Sequence, residues 1–143
     1  MPLSEPTTSS TQHALHVLCV EDNPVNLQLV RELVALRPQV RLSTAEDGLA
    51  GVQKALAELP ELVLLDIQLP DIDGVEVMRR LRAEARTAGC RIVALSADAM
   101  PERISAALAA GFDDYWTKPI QFEAFLSHLD RMVAAHAAGS PLR

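Results

Sequence analysis

Five short apolar runs alternate with five segments of helical periodicity along this 143-residue chain. The runs are rich in Val, Leu and Ile, which is typical of strands. We predict strands over residues 16–20, 40–44, 62–65, 92–95 and 115–117, and helices over 24–37, 47–59, 74–85, 101–110 and from about 122. Such alternation predicts one domain with a parallel sheet and helices on both of its faces.

The periodicity also predicts which side chains face the core. Residues 40–44 alternate between apolar and polar and therefore predict an edge strand with one solvated face. Trp116 is expected to pack on the opposite side of its strand from Tyr115 or to be partly exposed, and His128 and His136 are expected to face solvent. Three helices are predicted to present apolar rows: Val25, Leu29, Leu33 and Leu36; Leu49, Val52, Leu56 and Leu59; Phe122, Leu126, Leu129 and Val133.

Charge and composition exclude several classes of protein. A net charge of −6 argues against a nucleic-acid-binding domain, because phosphates would on average be repelled. The two cysteines, Cys19 and Cys90, form no disulfide framework and predict buried thiols in a reducing cytoplasm. No apolar stretch reaches the roughly 18 residues of a membrane span, and the first residues do not resemble a signal peptide. We expect a cytoplasmic protein without membrane insertion.

The two ends of the chain differ in composition from the middle. Residues 1–13 contain six Ser or Thr and two Pro, which predicts a flexible tail or linker. Residues 137–143 include Gly139 and Pro141 and are expected to fray. The predicted domain therefore covers residues 14–136.

Polar side chains follow four of the predicted strands. Glu21 and Asp22 follow the first, and single polar residues end the third, fourth and fifth: Asp66, Ser96 and Lys118. The carboxyl ends of parallel strands share one edge, where ligands bind in open α/β sheets. We therefore expect these five side chains to converge there.

The residue types at this edge indicate a particular chemistry. Carboxylates held close together repel one another, and a divalent cation removes that repulsion. Oxygen ligands favour Mg²⁺, which binds through a few carboxylates together with a phosphate. With Lys118 and the Ser96 hydroxyl, the arrangement suits stabilising phosphoryl oxygens beside an attacking Asp66.

The spacing of these residues resembles that of the receiver domains of two-component response regulators over about residues 13–135. Asp66 lies 44 residues after Asp22, Ser96 lies 30 after Asp66, and Lys118 lies 22 after Ser96. The resemblance implies a flavodoxin-like (βα)5 doubly wound fold, with a five-stranded parallel sheet of order 2-1-3-4-5. It also implies a signalling phosphoacceptor that catalyses only its own phosphorylation and dephosphorylation and is not otherwise an enzyme.

The resemblance implies roles for these residues. Asp66 would accept a phosphoryl group from phosphohistidine. Mg²⁺ would be held by Glu21, Asp22, Asp66 and the backbone carbonyl of Gln68. Ser96 and Lys118 would each bind a phosphoryl oxygen.

Further positions have roles in the same family. Tyr115 would act with Ser96 as a conformational switch, and the Lys118–Pro119 peptide bond would be cis. Gln68 and Asp98, each two residues after a site residue, would tune the lifetime of the phosphoryl group.

The resemblance also implies partners. A histidine kinase or a histidine phosphotransfer domain would be the phosphodonor and would dock near residues 23–27 and Pro119. A downstream protein partner would bind the face formed by the fourth helix, fifth strand and fifth helix. Residues 20–26 and 94–100 are most similar to receivers of hybrid histidine kinases; a free-standing single-domain regulator and a degenerate, phosphate-independent receiver are the alternatives.

Other functional classes fit less well. A phosphatase of the haloacid dehalogenase type needs a second Asp where this chain has Gln68. A flavin or nucleotide carrier needs a phosphate loop rich in Gly or Ser, where this chain has Glu21 and Asp22. Asp71 and Asp73 are expected to shape the turn before the third helix, with Asp73 as its cap.

Overall fold

The computed structural model describes residues 14–143 as a five-stranded parallel sheet covered by five helices. The strands are β1 (Leu15–Val20), β2 (Val40–Ala45), β3 (Leu62–Asp66), β4 (Arg91–Ser96) and β5 (Asp114–Thr117). The helices are α1 (Pro24–Val34), α2 (Gly48–Glu58), α3 (Gly74–Ala83), α4 (Pro101–Ala110) and α5 (Phe122–Ala137). The strand order β2-β1-β3-β4-β5 confirms the predicted fold, with β2 at an edge. The tail expected over residues 1–13 lies outside the described residues.

Two apolar cores lie on opposite faces of the sheet. Because side chains alternate along a strand, Leu15, Val17 and Cys19 of β1 contribute to one core, whereas Leu18 and Val20 contribute to the other. Residues of α1 and α5 complete the first core, and residues of α2, α3 and α4 complete the second. None of the helices in residues 14–143 is both long and apolar enough to span a membrane.

The predicted apolar face of α1 is wrong by part of a turn. Val25 is 73% exposed and Leu36, just beyond the helix, is 57% exposed. The side chains buried against the sheet are instead Leu27, Val30, Leu33 and Val34. A row of every fourth residue drifts around a helix of 3.6 residues per turn, so its two ends leave the core.

The predicted face of α2 is also wrong, for a different reason. Its buried residues are Gly48, Gly51 and Ala55, whereas Leu49 is exposed. Leu59, which ends the helix in a left-handed conformation, is exposed as well. Small side chains let α2 lie close to the sheet, so the buried face is not the most apolar one.

Two expectations for α5 need correction. Phe122 is 60% exposed, and Phe125 is buried in its place. His128 was expected to face solvent but is only 4% exposed, with its ring centroid 4.6 Å from that of Trp116 in an edge-on arrangement. Burial, followed by the nearby Arg91, lowers the pKa of His128 to about 4. At neutral pH its imidazole is therefore uncharged inside the first core.

The last residues of the chain contact the domain, contrary to the expectation that they fray. Arg143 Nε lies 2.9 Å from Asp113 Oδ1, and the Leu142 carbonyl accepts a hydrogen bond from Arg91. The Leu142 side chain packs against the first core. These contacts hold the C-terminal residues against the edge of the sheet opposite Asp66.

Candidate functional site

Two acidic side chains are buried at the carboxyl edge of the sheet. Asp66 is the last residue of β3 and is 4% exposed, while Glu21 directly follows β1 and is 1% exposed. The Glu21 backbone N–H donates to the Ala45 carbonyl, so the ladder to β2 holds Glu21 in place. Buried charges are costly unless they are paired. The paired positive charge here is that of Lys118.

Lys118 pairs with both carboxylates. Its Nζ lies 2.7 Å from Glu21 Oε1 and 3.0 Å from Asp66 Oδ2. Its backbone N–H donates to the Ser96 carbonyl at 2.8 Å, which fixes the residue beside the end of β4. The peptide bond between Lys118 and Pro119 is cis. One ammonium group thus bridges acids that come from two different strands.

The single positive charge of Lys118 faces two carboxylates, Glu21 and Asp66, and does not neutralise both of them. Burial, followed by the hydrogen-bonded contact with Asp66, raises the pKa of Glu21 above its usual range. For Lys118, burial alone would lower the pKa, but hydrogen bonds to Glu21 and Asp66 outweigh it and raise the pKa. The lysine therefore stays protonated, and its two acidic neighbours still favour a further positive charge.

The acidic residues form a set that suits a divalent cation. Carboxylate oxygens of Glu21, Asp22 and Asp66 all lie within 4.8 Å of one another. Asp22 is exposed, and the three line an open cleft of about 390 Å³ together with Gln68 and Lys118. Three carboxylates around a solvent-accessible cleft match the oxygen donors and retained waters that Mg²⁺ prefers. The residues present therefore fit Mg²⁺.

Gln68 lines the same cleft. Its N–H donates to Asp66 Oδ1 at 2.9 Å, so the loop after β3 folds back over the Asp66 carboxylate. Together with Lys118 on Oδ2, this bond fixes the orientation of the carboxylate. Both Asp66 oxygens therefore have a donor at the edge of the sheet.

Ser96 and Tyr115 belong to a neighbouring cavity rather than to the acidic cleft. Ser96 Oγ accepts from the Asp98 backbone N–H at 3.1 Å, and the Tyr115 hydroxyl donates to the Asp98 carbonyl at 2.6 Å. The three residues line a cavity of about 290 Å³ that also includes Gln68. Ser96 is linked to the acidic cleft through its carbonyl, which accepts the Lys118 N–H.

Sequence reasoning missed one group of contacts to Glu21. The Asn23 N–H donates to Glu21 Oε2 at 3.2 Å, and Asn26 Nδ2 donates to Glu21 Oε1 at 3.3 Å. Asn23 is also the cap of α1, because its side chain accepts from the Val25 and Asn26 N–H groups. The sequence did contain a sign of these contacts, because two Asn residues three positions apart lie on the same side of the helix start and follow Glu21 closely.

A family model for the response regulator receiver domain matches residues 17–130, which include every residue of this site. The chain belongs to the response regulator receiver family. Membership makes it a signalling domain of two-component systems, as the spacing of its strand-end residues suggested.

Relatives of this receiver include sensor kinases and regulators. It is 38% identical over 120 residues to the sensor histidine kinase GacS of Pseudomonas protegens, covering 82% of this chain and 13% of the kinase. It is 41% identical over 109 residues to TcrX, a probable transcriptional regulatory protein of Mycobacterium tuberculosis, covering 75% of this chain and 44% of that protein. The chain therefore spans less than half the length of either relative.

A solved structure matches the receiver over most of its length. It is the receiver domain of the sensor histidine kinase PA1611 from Pseudomonas aeruginosa, with a TM-score of 0.75 and 30% identity over 85% of this chain and 98% of that one. That crystal structure has a magnesium ion coordinated in its active-site cleft.

Proposed function

We propose that this receiver accepts a phosphoryl group from phosphohistidine onto Asp66, with Mg²⁺ as cofactor, and changes conformation to pass the signal on. The observation that carries the proposal is the Lys118 ammonium group, which bridges Asp66 and Glu21 beside a three-carboxylate cleft. A charge arrangement of this kind serves phosphoryl transfer, which depends on positioning and on neutralising oxygens.

In the proposed reaction, a carboxylate oxygen of Asp66 attacks the phosphorus atom. The new P–O bond forms as the P–N bond of phosphohistidine breaks, and the imidazole nitrogen keeps the electron pair of that bond. Lys118 is already within 3.0 Å of Asp66 and would neutralise one phosphoryl oxygen. Mg²⁺, held by Glu21, Asp22, Asp66 and the carbonyl of Gln68, would supply further positive charge to the phosphoryl oxygens.

The conformational change would involve Ser96 and Tyr115. In the structure, the Ser96 hydroxyl binds the loop after β4 and the Tyr115 hydroxyl binds the Asp98 carbonyl of the same loop. If Ser96 turns to bind a phosphoryl oxygen, it gives up its bond to that loop. Tyr115 would then be free to move toward the cavity that both residues line, altering the surface formed by α4, β5 and α5 for a downstream partner.

The phosphodonor would be a histidine kinase or a histidine phosphotransfer domain. Val25 lies in the first turn of α1, three residues after Asp22, and its side chain is 73% exposed. Phe122, in the first turn of α5 and three residues after Pro119, is 60% exposed. Contiguous exposed apolar side chains mark protein docking surfaces, and we propose that Val25 and Phe122 contribute to one.

We further propose that the domain functions within a hybrid histidine kinase in the cytoplasm. The similarity to GacS supports the hybrid context, and two free thiols suit a reducing compartment. The similarity to TcrX keeps a regulator without a kinase portion as the second candidate. On the domain bounds, we propose residues 14–136 as the receiver and 137–143 as a C-terminal tail whose last residues contact the receiver.

The decisive test is to map the phosphorylated residue. We expect wild-type protein incubated with acetyl phosphate and Mg²⁺ to carry phosphate on Asp66, and Asp66→Asn to carry none. Asp73→Asn is the matched control, because Asp73 lies nearby but its side chain caps α3 by accepting the Glu76 N–H. Mass spectrometry that finds the phosphate on another residue would contradict the role of Asp66, whereas wild-type protein that binds neither Mg²⁺ nor beryllofluoride would favour a degenerate receiver.

The docking surface has its own test. We expect Val25→Asp to slow phosphoryl transfer from a protein donor about tenfold or more, because a charge is placed in an apolar contact, while leaving labelling by acetyl phosphate unchanged. Leu36→Asp is the control, since Leu36 is also exposed but lies just beyond the opposite end of α1. Equal transfer rates for the two variants would argue against this surface.

Gln68 and Asp98 are proposed to tune the lifetime of the phosphorylated state. Both line the cavity that borders Ser96, where they would control access of hydrolytic water. We expect a Gln68→Ala and Asp98→Ala double variant to change the decay rate of the phosphorylated protein. Decay at the wild-type rate would contradict this role.

A further inference from the structure

Asp71 connects two elements that are distant in the sequence. It lies in the loop after β3, residues 67–73, and its carboxylate accepts two hydrogen bonds from the first turn of α2. Gly48 N–H donates to Oδ1 at 2.7 Å, and Leu49 N–H donates to Oδ2 at 2.8 Å. The local cap of α2 is a different residue, Asp47, which accepts from the Ala50 N–H at 2.8 Å. The helix is therefore capped twice, once from its own chain segment and once from the loop.

The two hydrogen bonds that the Asp71 carboxylate accepts are charge-assisted and therefore strong. The first N–H groups of a helix have no partner within it, and a carboxylate there also interacts favourably with the helix dipole. Burial alone would raise the pKa of Asp71, but the backbone donors, Leu49 and Gly48 first, lower it to about 2. The carboxylate is consequently charged throughout the physiological pH range.

Packing holds the same loop tightly against α2. A Cβ atom at Gly48 would lie 2.5 Å from Ile72 Cγ1 and 2.9 Å from the Ile72 carbonyl oxygen. Only glycine allows this approach, which brings the helix N-terminus against the residue that follows Asp71. Hydrogen bonding and packing therefore fix the far half of the loop on α2.

The near half of the loop is fixed on the acidic site. Gln68 N–H donates to Asp66 Oδ1, and Gly74 N–H donates to the Ile67 carbonyl at 2.8 Å. Gln68 therefore lies between two anchors, the Asp66 carboxylate on one side and Asp71 on the other. Release of the second anchor would let the backbone at Gln68 move relative to the cleft.

We propose that Asp71 is a positioning residue for the cation site: by tying the loop after β3 to the N-terminus of α2, it holds the Gln68 backbone at the edge of the acidic cleft. The proposal rests on the proposed Mg²⁺-dependent function. Asp71 is not among the residues that line the acidic cleft, so its effect would reach the site only through the loop.

The test separates positioning from simple loss of helix capping. We expect Asp71→Ala to raise the Mg²⁺ dissociation constant about tenfold, the range seen when groups that orient metal ligands are removed. Isothermal titration calorimetry with Mg²⁺ alone measures this directly. Asp47→Ala removes a hydrogen bond from the same helix turn without releasing the loop, and we expect its dissociation constant to stay within twofold of wild type. Asp71→Asn retains one acceptor oxygen and should be intermediate.

A second measurement follows the phosphorylation rate with acetyl phosphate as Mg²⁺ is varied. We expect saturating Mg²⁺ to restore most of the rate of Asp71→Ala, because the reacting groups are intact. A dissociation constant within twofold of wild type, or an equal rise in Asp47→Ala, would overturn the positioning role. If Mg²⁺ affinity depends on Asp71 but wild-type Asp66 is not labelled, the proposed function fails and the positioning role stands.

Discussion

Gly74→Ala is expected to destabilise the domain by about 2–3 kcal/mol, which is large for the addition of one methyl group. A Cβ atom at this position would meet the carbonyl oxygen of Asp66 and lie 2.7 Å from Ile67 Cα. Both are backbone atoms, and neither can rotate away as a side chain would. The substitution must therefore displace α3 or the end of β3, and displacement of β3 would move Asp66, the proposed phosphoacceptor.

Urea unfolding followed by circular dichroism measures this loss, and Gly89→Ala is the matched control. Apart from Gly89 itself and its two chain neighbours, no atom of the described residues lies within 4 Å of a Cβ built at Gly89. We expect the control to change the free energy of unfolding by no more than about 0.5 kcal/mol. Equal stabilities for the two variants would show that α3 accommodates the extra methyl group without cost.

Arg82→Ala is expected to destabilise the domain by about 2–3 kcal/mol, because it breaks a largely buried ion pair and leaves buried carbonyls without a donor. Arg82 Nη2 lies 2.7 Å from Asp113 Oδ2, and the side chains are only 14% and 12% exposed. The guanidinium also donates to three backbone carbonyls, those of Gly111, Ala88 and Cys90. Its loss removes the side-chain donor of the Gly111 and Cys90 carbonyls, at the edge of the sheet opposite Asp66, whereas the Ala88 carbonyl and Asp113 keep their contacts with Arg143.

The same helix supplies the control for this prediction. Arg80 pairs with Glu76 one turn earlier, but both side chains are more than 40% exposed. Exposed pairs at this spacing contribute about 0.3–0.5 kcal/mol, so Arg80→Ala should be nearly neutral. Denaturant unfolding of both variants gives the comparison, and similar losses would mean that Arg82 acts as an ordinary surface residue.

The sequence was sufficient to predict the fold and the strand-end residues because both depend on local patterns. Each central strand is an apolar run that ends in a polar residue or is followed by one. Because helices alternate with these runs, the strands are parallel and their carboxyl ends lie at the same edge of the sheet. Asp66 and Lys118 could thus be placed at one edge although they are 52 residues apart. The family resemblance then supplied the roles of the individual side chains.

The features that the sequence did not reveal are the buried face of α2 and the contacts of Asp71 and His128. All of them depend on packing between segments that are distant in the sequence. The buried face of α2 is formed by glycine and alanine, which carry little hydrophobic signal. Asp71 was interpreted as a turn residue because its partners, Gly48 and Leu49, lie 23 and 22 residues earlier. His128 was placed in solvent because nothing in the sequence shows that Trp116 and Arg91 enclose it.

The contact between Trp116 and His128 gives the protein a built-in optical probe. Trp116 is the only tryptophan of the chain and lies in β5, two residues before Lys118. A protonated imidazole quenches indole fluorescence, but the pKa of about 4 keeps His128 uncharged at neutral pH. A change in emission after phosphorylation at neutral pH would therefore report rearrangement around β5 rather than protonation of its neighbour, and no label would have to be attached.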